Sequence, residues 1–228
     1  MTTFMEVDVR CAVCGALSCV VELTSTSAFG PPDLDLRPQG PARWALEFSV
    51  QRCRSCGYCA RSLGAAPPGA AAVVESLVYR GVLERSELPR LARDYFCAAL
   101  AAEAAAGDPG SAAESFLHAA WARDDAGATA QARICRERSA EMLRLAISSG
   151  DIRPPREIAL AVLADVERRS RRFDEALEAC SEAESVLAEG GDVGSGAGTA
   201  TVVSFIRELA EAGDDEAYSA AEAFAADE

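Results

Sequence analysis

Cys11-Ala12-Val13-Cys14-Gly15 and Cys53-Arg54-Ser55-Cys56-Gly57 are the two stretches that decide how the N-terminal part of this chain folds. Each is a CxxC pair followed by glycine. A CxxC turn brings two sulfurs to one side of an ion, so two such pairs supply the four ligands of a tetrahedral thiolate site, and Zn2+ is the usual occupant. Glycine after the second cysteine suits a tight turn in which φ goes positive. The chain has 9 cysteines, an odd number, and residues 1–6 show neither a basic start nor an apolar run of the kind that directs export. Reduced thiols in the cytosol bind metal rather than pair, so a cytoplasmic protein with one structural zinc on Cys11, Cys14, Cys53 and Cys56 is expected. A redox CxxC pair and a coincidence of cysteines are the competing explanations.

The gap from Cys14 to Cys53 is 38 residues, longer than the 15–20 of compact ribbons. An inserted loop accounts for it. Residues 17–24 have strand composition, and residues 44–51 alternate Trp44, Leu46, Phe48 and Val50 with Ala45, Glu47, Ser49 and Gln51, the period of a strand. Between them lies the proline-bounded run Pro32-Asp33-Leu34-Asp35-Leu36-Arg37-Pro38. Extended, it would put Asp33, Asp35 and Arg37 on one side and both leucines on the other, a small polar cluster beside the knuckle that could dock a partner. A plain turn-rich loop with a local Asp–Arg pair is the alternative. Cys19 and Cys59 are spare thiols near the ligands: small apolar packing residues, or exchangeable thiols of a sensor.

Composition bounds the rest. Of 228 residues half are apolar, but 47 are alanine, which buries little surface apiece. Arginine supplies all 22 basic side chains, since there is no lysine. The net charge of −14 arises in residues 173–228, where 15 acids face Arg207 alone. This disfavours nucleic acid, for which Arg43, Arg52, Arg54 and Arg61 would offer only a weak basic spot, and anionic membranes. No apolar run is long enough to span a bilayer.

After a Pro/Gly/Ala linker at 64–69 the periodicity becomes helical. Helices are expected over 70–84, 87–106 (capped by Ser86), 108–122, 129–148, 157–169 and 173–189. A glycine-rich break at 190–198 follows, then helices over 199–212 and 214–226. Cys97, Cys135 and Cys180 fall in these segments as core residues. His118, the single histidine, reads as packed or surface rather than catalytic. Leu163-Ala164, Phe173 through Leu177, Cys180 and Ala183 match the spacing of one tetratricopeptide (TPR) unit, with two weaker copies around it. The expected fold is therefore mainly α: a small zinc-ribbon-like β segment (1–63) followed by TPR-like antiparallel helix pairs (70–228). The first helix of each pair would line a groove, with Arg168 exposed in it. On that placement Arg168→Glu would leave stability within about 0.5 kcal/mol.

The order of features resembles a bacterial family without an assigned activity that joins an N-terminal double-CxxC ribbon to a TPR-like region. The shared residues are the four cysteines, Gly57-Tyr58, the 32–37 loop and Leu117-His118-Ala119-Ala120-Trp121. The resemblance implies this architecture and no reaction. A closed four-thiolate site leaves no position for a reacting water, and there is neither a phosphate-binding glycine loop nor a second histidine. A non-enzymatic interaction or adaptor protein with a protein or peptide partner is the leading expectation. A zinc-thiolate redox or metal sensor using Cys19 or Cys59 is the alternative.

Overall fold

A computed structural model describes residues 2–104, 108–189 and 193–227, with side chains undescribed at 193–196. It is mainly helical, with two small antiparallel strand pairs near the N-terminus. Its contacts form two compact units. One comprises Met1–Ala28 and Gly40–Met142; the other comprises Phe29–Gln39 and Leu143–Glu228. Composition had placed the boundary at 64–69, but the helices after that linker pack on the cysteine-bearing segment and belong with it.

In the first unit, strands β1 (Thr3–Arg10) and β2 (Leu17–Ser25) form one hairpin, and β3 (Gln51–Arg52) and β4 (Cys59–Ala60) a much shorter one. The expected strand over 44–51 is largely absent. Pro41 instead opens a short helix, α1 (Pro41–Ala45), which runs into a 3-10 turn at Leu46–Phe48, leaving Trp44 78% exposed. A strand beginning at Trp44 would have had no partner, because β4 ends at Ala60. The single helix expected over 70–84 is two, α2 (Ala70–Glu75) and α3 (Leu77–Glu84). Ser76 adopts extended backbone between them, and its hydroxyl accepts from the Tyr79 amide.

Helix α4 (Arg90–Glu103) starts after Pro89, whose missing N–H costs nothing at a helix entrance; residues 105–106 of the expected helix lie outside the described residues. Asp108 caps α5 (Pro109–Asp124) by accepting from the Ser111 amide. α4 and α5 pack on one another, and alanine supplies much of what each buries: Ala98, Ala99 and Ala101 on α4, Ala112, Ala113, Ala119 and Ala120 on α5. The axes can approach closely there, and Phe96 meets Phe116 edge-on at 5.1 Å. Helix α6 (Thr129–Ser149) follows.

The second unit is built round α7 (Arg156–Arg169), whose residues Ala159 to Arg168 are all buried. A helix buried on every face is a core element. α8 (Phe173–Glu189) packs along α7 and buries Ala176, Ala179, Cys180 and Ala183, and α9 (Val193–Glu211) packs on both. α9 starts within the glycine-rich segment rather than after it; residues 190–192 lie outside the described residues. The last expected helix shortens to α10 (Ala220–Ala226), opened by a Ser219/Glu222 capping box. Ahead of it residues 214–218 run without helix, and Ser219 bridges to Asp33.

Candidate metal centre

The two knuckles are copies of one backbone device. In the first, the Cys11 amide donates to the Ala16 carbonyl at 2.9 Å and the Gly15 amide to the Cys11 carbonyl at 2.8 Å. In the second, Cys53 donates to Tyr58 at 2.8 Å and Gly57 to Cys53 at 2.9 Å. Gly15 and Gly57 hold φ of 74° and 80°, where a side chain would be strained. Gly57 carries a second constraint: a Cβ there would lie 2.5 Å from the Leu83 methyl.

The hairpins aim the four sulfurs at one point, all within 4.8 Å of one another. Cys11 Sγ lies 3.8 Å from Cys56 Sγ, and Cys14 Sγ 3.7 Å from Cys53 Sγ. Disulfide bonds, at about 2.05 Å, are excluded by those distances. A tetrahedron of sulfurs bonded at about 2.3 Å to a central ion has edges of about 3.8 Å, so the site fits such an ion. Cys11 and Cys53 are buried, Cys56 is half-buried and Cys14 exposed.

The four thiols also perturb one another's protonation. Burial pushes the Cys53 thiol up, but hydrogen bonds from the Cys56 and Ser55 amides and from the Cys56 and Cys14 thiols together outweigh it and bring the group down to about 6. Burial first, then the neighbouring sulfurs, drives Cys56 up to about 12, and burial also raises Cys11. Left to themselves these sulfurs do not all ionise near neutral pH. A cation among them is what would make four thiolates compatible.

Several residues that the sequence did not single out hold the knuckles in place. The Gln51 carboxamide donates to Glu22 at 3.1 Å and accepts from the Leu63 amide at 2.9 Å, while the Leu63 carbonyl accepts from the Ala12 amide at 2.8 Å. Tyr79 is fully buried; its hydroxyl donates to the Gly57 carbonyl at 3.1 Å and accepts from the Cys59 amide at 2.9 Å. The Tyr58 hydroxyl donates to Ala65 at 3.0 Å. Only Tyr58 had left a trace, as the residue following Gly57.

The other cysteines stand apart from the four. Cys19 is exposed on β2, paired across the hairpin with Asp8. Cys59 is buried, 3.4 Å from the Gly57 carbonyl and 3.9 Å from Asp94, and the Cys97 thiol and burial push it well up. Cys97, Cys135 and Cys180 are buried as expected. His118 packs between Tyr95 and Trp121, at ring distances of 4.9 and 4.6 Å. Of the four arginines of the expected basic spot, Arg52 pairs with Asp94 and Arg61 with Glu114.

The loop over 32–37 is not part of this centre. It belongs to the helical unit, where it forms a tight turn rather than an extended stretch: the Asp33 amide donates to the Arg37 carbonyl at 2.9 Å, and Leu36 takes a positive φ of 64°. Leu34, Asp35 and Arg37 are buried, and Leu36 is the side chain that faces out. The strap is bonded to the chain before α10, Leu34 to the Tyr218 carbonyl and Ala220 to the Pro32 carbonyl. Asp35 accepts from the Arg37 amide at 3.2 Å and faces Arg169 at 3.7 Å. Asp35 and Arg37 are therefore fastenings rather than a docking surface, and Gln39 holds Asp33.

Arg168 is likewise not in an open groove. It is 0% exposed; its guanidinium grips Asp165 at 2.6 Å and donates to the Asp214 and Glu216 carbonyls at 2.7 and 2.8 Å. Residues 214–216 cover the face that was expected to be solvent. No protein-family model matches this chain, no curated protein is detectably similar to it, and no solved structure matches it.

Proposed function

We propose that this chain is a non-enzymatic, zinc-stabilised adaptor, in which one Zn2+ on Cys11, Cys14, Cys53 and Cys56 fixes the first unit and TPR-like helix pairs offer a surface to a protein or peptide. The observation that carries the zinc assignment is the sulfur tetrahedron, with its 3.7 and 3.8 Å edges. Tetrahedral sulfur selects zinc or iron among common ions, and zinc needs no redox partner. Four protein ligands fill the coordination sphere, so the ion is structural and holds no reacting water. The helical surface takes its support from α7, α8 and α9, where α9 rests on both members of the preceding pair, as stacked helical repeats do. A cytoplasmic location belongs to the same proposal; its support is that a reducing compartment keeps thiols available to metal. No helix among the described residues is long and apolar enough to cross a membrane.

Elemental analysis of the full chain, purified under reducing conditions without added metal, is expected to give one zinc per chain. A preparation that is folded and metal-free sinks the assignment.

The exposure of Cys19 favours a second reading, a zinc-thiolate sensor, whereas the burial of Cys59 and its raised thiol speak against that residue. On the sensor reading mild peroxide releases zinc from the folded chain, and Cys19→Ser slows the release at least about tenfold, since thiolate access governs the rate. Equal release from both chains removes it.

A further inference from the structure

A groove on the helical unit has no role so far. A cavity of about 230 Å³ opens between the C-terminal end of α6, α7 and α8. Its floor is apolar, made by Ile147, Leu160, Leu163 and Ala179. A shallower depression of about 480 Å³ adjoins it along α8, sharing Glu178 and Glu182 and adding Leu177 and Asp174.

The charges around it are unbalanced. Arg144 is held by the buried Glu167, and Glu175 by Arg172 at 2.8 Å. Arg156 stands at one end, donating to the Ile147 carbonyl at 3.4 Å. Asp174, Glu178 and Glu182 remain, one turn apart along the exposed side of α8, with no ion pair among the described residues. Like charges four apart weaken the helix that carries them. A stripe of three beside an apolar slot is complementary to a helix that presents cations at the same spacing next to a hydrophobic face. The surrounding acidic field would speed the approach of such a partner.

We infer that the α6–α8 groove binds a basic amphipathic helix, its apolar side chain in the slot and its arginine or lysine stripe along Asp174, Glu178 and Glu182. The inference rests on the adaptor reading and names the chemistry of its partner.

Fluorescence anisotropy on the full-length, metal-replete chain tests it with three labelled helical peptides. The first carries arginines at successive i, i+4 positions beside a leucine face; the second has glutamate for arginine; the third has serine for leucine. The first is expected to bind, with an affinity that falls steeply as salt rises. E178Q/E182Q, checked for an unchanged circular dichroism spectrum, is expected to weaken it at least about tenfold and flatten the salt dependence. The control E84Q/E87Q, on exposed positions of the other unit, should bind like the parent. Unchanged binding by E178Q/E182Q, or equal binding of the serine peptide, overturns the groove. If the glutamate peptide binds instead, the basic partner is wrong while the adaptor reading survives. If no peptide binds, the inference falls, and the adaptor reading is then decided by whether crosslinking in the native host finds any partner at all.

Discussion

Replacing Cys53 by serine is expected to abolish metal binding and unfold the cysteine-bearing hairpins while α7, α8 and α9 keep their helicity. Binding of a structural zinc is worth on the order of 10–16 kcal/mol at neutral pH, as much as or more than the whole stability of an ordinary domain. The hairpins themselves are slight: the first has only two strands and the second two residues in each, so without metal they rest on the apolar cluster they share with α2, α3 and α4 alone. Cys59 cannot step in, because it is buried with its sulfur 3.4 Å from the Gly57 carbonyl. Hydrogen exchange gives the readout, and its pattern should be interrupted. Amides of residues 2–25 and 51–63 should become labile, while the strap between them, bonded to Tyr218 and Ala220, stays protected. A Cys53→Ser chain that retains stoichiometric metal would show that the four sulfurs are not the ligands.

The second large effect is expected at Arg168. Arg168→Met leaves Asp165 as a buried carboxylate without its cation and strips the Asp214 and Glu216 carbonyls of their donor. Breaking one side of a buried ion pair costs about 3–5 kcal/mol, far above the 0.5 kcal/mol of a surface change. Pairing it with Asp165→Leu should recover a large part of the loss, since an apolar pair of similar volume needs no compensation. Urea unfolding of the two single variants and the double variant completes the cycle. If Arg168→Met alone falls within 0.5 kcal/mol of the parent, the guanidinium is not the clasp its contacts describe.

Arg168 also shows where sequence reasoning stops. Its Asp165 partner lies three residues back on the same helix. The two carbonyls that bury it come from 46 and 48 residues downstream, and no local pattern announces them. Charged residues are exposed by default, so the default failed at a site built from distant backbone. The four cysteines were legible for the opposite reason: their chemistry needs a fixed spacing and a following glycine, both local. The helices over 129–149 and 173–189 were read almost to the residue from periodicity. Between 44 and 51 the same method misled, because alternation describes a strand only if a partner strand exists to pair with it. The strap misled more deeply. Asp33, Asp35 and Arg37 lie between two metal-binding knuckles in sequence, yet Asp33 bridges to Ser219, Asp35 faces Arg169, and the neighbouring Pro32 and Leu34 bond to Ala220 and Tyr218.

That strap has a consequence for how such a gene can be cut and recombined. The chain passes between its two units three times, after Ala28, after Gln39 and after Met142. A fragment ending at the linker would carry away eleven residues, Phe29–Gln39, whose hydrogen bonds belong to the other unit, and would leave the Tyr218 carbonyl and Ala220 amide without them. A fragment starting there would lack the knuckles that α3 and α4 pack against. Neither half is a portable cassette. Nature can duplicate or transplant this protein whole, or remodel it at its surface, but a crossover at the place where its composition changes parts the strap from its partners and the knuckles from their helices.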